Sequence, residues 1–260
     1  MVPDERALHA EWIKLRTLPG TVWLLLGVVA LTVAVGSIAG AAATCPAEGC
    51  GQDPAKTILS GIVLSQAIVA ILAVLAISGE YSTGMIRVTL TAMPRRITVL
   101  TAKAAVLTGL VLAAGAAGVL ASMLAGRLIL PGRGFTPGHG YGAVSLASGP
   151  DLRAAAGSVL YLALIGLLAL GTATAVRDSA ASIGVVLGLL YLFPVIATAV
   201  SRDWARHLQQ IGPMSAGLDI QATTGLRSLP LSPWAGLGVL AAWAAAALLA
   251  GGLLLRWRDA

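Results

Sequence analysis

The stretch TVWLLLGVVALTVAVGSIAG, Thr21 to Gly40, runs for twenty residues without an Asp, Glu, Lys, Arg or His. A hydrocarbon core about 30 Å thick is crossed by about 20 helical residues, each rising about 1.5 Å, so this run has the length and composition of a membrane span. It exceeds the apolar core of a cleaved leader, which runs for about 7 to 15 residues. Asp4, Glu5 and Glu11 also interrupt the basic segment that would precede such a core. It therefore reads as a retained first span, although Ala41, Ala42 and Ala43 offer a small-residue cleavage site. Five further segments qualify: Thr57 to Gly79, Ala104 to Gly126, Ala154 to Val176, Ala180 to Val200 and Trp234 to Leu255. The expectation is an all-α membrane protein, with a six-span domain over residues 21–260 after an N-terminal segment of residues 1–20. Composition agrees, since 57% of residues are hydrophobic and 11% charged, against about a quarter charged in a soluble domain.

An even number of spans puts both termini on one side. With that side cytoplasmic, Arg6, Lys14, Arg16, Arg87, Arg95, Arg96, Lys103, Arg177, Arg256 and Arg258 fall inside, ten of the 17 basic residues. Lys56, Arg127, Arg133, Arg153, Arg202, Arg206 and Arg227 fall in the longer outer loops, residues 41–56, 127–153 and 201–233. Basic density is thus higher inside, as topology rules require. Cys45 and Cys50 share the first outer loop, TCPAEGCG, where an oxidising exterior permits a disulfide; free thiols are the alternative. Ala-, Gly- and Arg-rich usage with only three lysines suits a high-GC bacterial genome, hence a bacterial plasma membrane. The net charge of +6 suits anionic lipid headgroups; no basic stripe interleaved with aromatics suggests nucleic acid.

As delimited, the six spans hold no ionisable side chain. Proton-coupled carriers and pumps usually keep such groups along their path, so a secondary carrier is disfavoured. Gln66, near the middle of the second span, could touch a substrate, but a helix-to-helix hydrogen bond is the blander reading. Small residues recur every fourth position in Ala114, Gly118, Ser122 and Gly126, in Gly184 and Gly188, and in Gly238, Ala242, Ala246 and Ala250, a pattern that permits close helix packing. His9, His139 and His207 lie on separate segments without ligand spacing, and zinc at the cysteines is improbable. In GCGQDPAKT, Ala55 stands where a phosphate loop needs glycine before its lysine. No catalytic constellation, cofactor site or metal site emerges, and no ATP hydrolysis is expected of this chain.

Charge gathers instead after the second span, in GEYSTGMIRVTLTAMPRRITVLTAK, Gly79 to Lys103. On a helix Glu80, Gly84, Arg87 and Thr91 lie near one face, while Ile86, Leu90 and Met93 form another; Pro94 stops the element before Arg95 and Arg96. Taken alone, this is a short amphipathic element at the cytoplasmic surface or a plain topology anchor. The segment resembles the cytoplasmic loop of type-two ABC transporter permeases through Glu80, Tyr81, Gly84, Arg87, Leu90, Pro94, Arg96, Ala102 and Lys103. Met85 departs where the family commonly has Thr, and Arg95 where Ser is frequent. AEWIKLRTLPGTVWLLL, Ala10 to Leu26, looks like the family's N-terminal interfacial helix feeding the first span, and the segment from Leu231 to Ala260 looks like its last span and basic tail. By its own pattern the N-terminal segment places Leu8, Trp12 and Leu15 on one helical face, with Glu5, Arg6 and Lys14 as polar surface and a break at Pro19 and Gly20.

The resemblance implies a permease that joins a second copy or a paired permease and two ATP-binding-cassette ATPase subunits, with ATP and Mg bound by the ATPase. It implies that residues 80–103 form a coupling helix docked on that ATPase, with Glu80, Tyr81, Gly84, Arg87, Pro94, Arg95 and Arg96 carrying contacts or shape. The turn at Arg177, Asp178 and Ser179 is a smaller second contact or an ordinary interfacial turn. Outside, Trp204, Leu208 and Ile211 share a helical face beside Arg202, Asp203, Arg206 and His207, suggesting an interfacial helix that gates the exit or merely caps it. The 127–153 loop, with PGRGFTPGHGYG, reads as an irregular surface connection. The expected function is export of an amphiphilic substrate driven by a separate ATPase. A secondary carrier and a nontransporting anchor or sensor are the alternatives.

Overall fold

Prolines and short polar caps punctuate the chain, and the apolar runs between them become helices. The computed structural model describes residues 3–45, 51–82, 96–136 and 144–257, with backbone alone described at residues 3–7, 16, 80–82 and 96. All regular structure among these residues is helical. Six helices are long and apolar enough to cross a membrane: Pro19–Ala42, Pro54–Gly79, Ile97–Arg133, Gly149–Val176, Ser179–Ala199 and Pro233–Trp257, here the first to sixth spans. The architecture is that of a multi-pass membrane protein. An N-terminal helix, Pro3–Thr17, precedes the bundle, and a short helix, Arg202–Ile211, follows the fifth span.

Sequence chemistry sets the helix ends. Pro19 and Pro54 stand in the first turns of the first two spans, where the missing N–H removes no helix bond. Ser148 caps the fourth span by accepting from Asp151 N, and Asp151 places negative charge at the positive helix end. The fourth and fifth spans are joined by only Arg177 and Asp178. Arg177 closes the fourth in a left-handed conformation at φ 65°, and Asp178 accepts from Ala181 N at 2.7 Å to open the fifth. Pro194 lies inside the fifth span and removes one backbone bond there.

The second and fourth spans form the centre, each with 61% of its most apolar window buried, against 17% for the first and 22% for the fifth. The fourth span packs most closely on the sixth, and the first on the third. A Cβ on Gly171 would stand 2.5 Å from the backbone of Ala247 and Leu248, and one on Gly251 would stand 2.6 Å from Gly171 O. These two glycines set how near the fourth and sixth backbones come. Only the Ala114-to-Gly126 stripe is used in this way within the chain, with Gly118 against Val29 and Thr32 and Gly126 against Ile58. A Cβ on Gly184, Gly188 or Gly238 would meet nothing within 4 Å, so those stripes face away from the bundle.

Two sequence expectations change. The third span begins well before Ala104, at Ile97, which draws Lys103 into a long helix where it is wholly buried. The N-terminal helix also turns a different face inward. Glu11 and Leu15 are 5% and 2% exposed, whereas Leu8 and Trp12 are 40% and 42% exposed. The apolar pattern identified Leu15 but missed Glu11, because a carboxylate goes inward only when a partner waits there.

Gly171→Val is expected to destabilise the chain by about 1–3 kcal/mol, since the clash is with backbone that no rotamer change relieves. Thermal unfolding in detergent reads this. Gly184→Val, introduced where no atom stands within 4 Å, serves as the control and should leave the midpoint unchanged.

Candidate functional site

Polar side chains gather at three levels of the bundle. Halfway along the second span, Gln66 is fully buried and both ends of its amide are engaged. Its Nε2 donates to Val63 O at 3.0 Å and meets Met214 Sδ at 3.2 Å, while Oε1 accepts from the Tyr161 hydroxyl of the fourth span. Tyr191 of the fifth span donates to the same Val63 carbonyl at 2.6 Å. Gln66 thus ties the second span to the fourth and to Met214, the Val63 carbonyl adds the fifth, and no free amide edge faces a substrate. Next to it, Ser65 and Thr32 share a hydrogen bond at 2.7 Å between the second and first spans.

Met214 belongs to a segment that the sequence placed in the outer loop. Pro213–Leu218 is a short helix, continued by a tight turn at Asp219–Gln221, and Pro213, Ala216, Gly217, Asp219, Ile220 and Gln221 are all buried. From the level of Gln66 the chain runs back along the fourth span toward its start: Gly217 lies against the Tyr161 ring, Gln221 donates to Ser158 Oγ at 3.1 Å, and Arg153 donates to Ala222 O. Nine residues from Pro213 to Gln221 thus fill the end of the bundle down to Gln66. The helix before them leaves Trp204 and Ile211 exposed at 67% and 52%, with Leu208 half-buried. Trp204, Leu208 and Ile211 thus precede the buried segment rather than belong to it.

A single carboxylate fastens this segment to the start of the second span. Asp53 caps the second span by accepting from Ala55 N and Lys56 N, and also accepts from Thr223 Oγ1 at 2.7 Å and Thr224 N at 2.9 Å. Burial works against its charge, but the donors of Thr223, Thr224 and Lys56 together outweigh it and hold the carboxyl below its usual value of 3.8. Asp219 behaves in the opposite way. Burial pushes its carboxyl from 3.8 up to about 6, with the Lys56 charge only partly opposing this. Cys45, beside this level, is disulfide-bonded and donates its backbone N–H to Arg133 O at 3.0 Å. Cys50 lies outside the described residues.

At the opposite end, Lys103 Nζ donates to Glu11 Oε2 at 2.6 Å, with the two side chains 1% and 7% exposed. The bond joins the N-terminal helix to the opening turns of the third span, close to where the charged segment ends. Of that segment, Gly84, Arg87, Leu90, Pro94 and Arg95 lie outside the described residues, and Glu80, Tyr81 and Arg96 are described by backbone alone. Among the described residues no group of His, Cys, Asp and Glu could hold a metal ion. Compared with known proteins, the chain matches no family model and no curated protein sequence.

Two outcomes follow from these charges. Lys103→Met should cost about 3–5 kcal/mol, because it leaves Glu11 buried without its partner, while the double replacement Glu11→Leu with Lys103→Met should return to within about 1 kcal/mol of the parent. Asp219→Asn should stabilise the chain at pH 7.5, by about 1 kcal/mol once solvent screening of the carboxylate is allowed for, because above pH 6 the folded state holds a charge that burial disfavours. That advantage should shrink toward pH 5, where the parent itself takes up the proton. Asp53 has the other sign: its contribution is full above 3.8 and fades only as pH falls through its lower folded value. Thermal unfolding across pH measures both.

Proposed function

We propose that this chain is the membrane-embedded subunit of an ATP-binding-cassette exporter, moving an amphiphilic substrate with force supplied by a separate ATPase. The observation that carries the reading is the charged segment from Glu80 to Lys103, with its Gly84, Arg87 and Pro94, set between two long helices. Helix continues to Ser82 on one side and resumes at Arg96 on the other. A push on so short a connection passes directly into the second and third spans. The Glu11–Lys103 bond adds the N-terminal helix to that moving unit, so it would travel with the third span rather than slide over it.

The bundle supports the same mode of energy supply. Among the described residues of the six spans, Lys103 is the one buried charged side chain, and it is paired. That leaves no chain of titratable groups for proton coupling. The plug from Pro213 to Gln221 fits an outward-closed resting state, in which Gln66, Tyr161 and Met214 seal the middle of the bundle. Opening then requires that this segment withdraw from the fourth span. With both termini cytoplasmic, the charged segment faces the ATPase and the plug faces outside. The open small-residue faces of the fifth and sixth spans suit a second copy or a paired permease.

The test pairs the chain with its ATPase, identified by co-purification from native membranes. Glu80→Ala and Arg87→Ala are expected to lower transport at least tenfold while membrane insertion and the ATPase's own turnover persist. Transport that continues without ATP but stops when the proton gradient is collapsed would sink the proposal in favour of a secondary carrier. Normal transport in both variants would remove the coupling role from this segment.

A further inference from the structure

We propose that a recess beneath the N-terminal helix binds one anionic phospholipid, with its phosphate on Lys14 and an acyl chain between the first and second spans. The recess has a volume of about 370 Å³. Small-molecule sites commonly hold about 300–1,000 Å³, so this is space for a ligand rather than a packing flaw. Leu15, Leu18, Leu24, Leu72 and Leu75 make its walls apolar, and among the described residues Lys14 is the one charged residue lining it.

Its depth selects the occupant. Gly20, Thr21 and Leu24 stand at the very start of the first span, and Leu72 and Leu75 near the end of the second. Those helix ends are where hydrocarbon gives way to headgroups, and a lysine there extends its ammonium toward the phosphate layer. A soluble anion would add a contact at Lys14 but leave the leucine walls open, whereas a simple hydrocarbon would cover the walls and bring no charge to the lysine. An anionic phospholipid does both. A zwitterionic lipid brings a phosphate too, but its own ammonium is repelled by Lys14. The ammonium has three donors, so Lys14 can hold a phosphate oxygen alongside a protein partner.

The roof of the recess is fixed. Glu11, Lys14, Leu15 and Leu18 lie on one face of the N-terminal segment at spacings of three and four, and Glu11 is bonded to Lys103 of the third span at 2.6 Å. That bond keeps the face turned inward and matches the Glu11 charge, so the carboxylate does not repel an incoming phosphate. The site is built by the chain and does not depend on transport.

The experiment offers the purified chain matched mixed micelles of phosphatidylglycerol or phosphatidylcholine with the same acyl chains, and counts retained lipids by native mass spectrometry. One phosphatidylglycerol should be retained per chain, with a preference of about fivefold over phosphatidylcholine, the effect of a single lysine near a lipid surface. Lys14→Gln should abolish the preference, and Lys14→Arg should keep it. Leu75→Trp, which fills the recess and leaves the charge untouched, should abolish retention of either lipid at this position. Inorganic phosphate alone should displace nothing. Equal retention of the two lipids by the parent overturns the proposal, as does unchanged retention in both Lys14→Gln and Leu75→Trp. If one of those variants fails to fold, the other decides.

Discussion

A polar atom sealed among apolar helices must find its partner within the chain, because neither hydrocarbon nor a packed core supplies one. That requirement organises this molecule from end to end. It brings Glu11 to Lys103, Tyr161 to Gln66, Tyr191 to Val63 O, Thr32 to Ser65, and Gln221 to Ser158. Each bond joins elements far apart in sequence. Apolar contact alone would tolerate helices sliding past one another, since one leucine face packs much like the next. The polar pairs remove that freedom by making one register acceptable.

The same constraint divides the bundle into levels with different mechanical character. At the N-terminal end, a buried ion pair binds the first helix to the third span. In the middle, the Gln66 amide and the Val63 carbonyl draw three spans together. At the other end, Asp53 gathers its own helix start and the backbone at Thr223 and Thr224. Glycines at Gly171 and Gly251 then let the fourth and sixth spans approach backbone to backbone, which no side-chain network could do.

Much of the architecture was legible because twenty-residue apolar runs have few other uses. The turn at Arg177 and Asp178 was equally readable, because two polar residues between two such runs leave no room for anything longer. The helix at Arg202–Ile211 followed from the spacing of Trp204, Leu208 and Ile211. Lys103 was misplaced for a physical reason: a lysine next to a charged loop reads as part of it unless its carboxylate, 92 residues earlier, is already known. The plug was hidden for another. Pro213 to Gln221 is too short for a span and too mixed for a periodic signal, and its burial depends on Gly157 and Gly217 clearing space for Ile220 and Tyr161. Gln66 announced itself as a polar residue in an apolar run, but only the assembled bundle supplies Tyr161 and Met214.

The Glu11–Lys103 bond also bears on how such a chain is made. Synthesis runs from the N-terminus, so the carboxylate leaves the ribosome long before the ammonium that it neutralises. When the third span reaches the bilayer, its lysine meets a nascent helix already waiting with the opposite charge. The order of manufacture thus makes the neutralising carboxylate available before the cation that needs it.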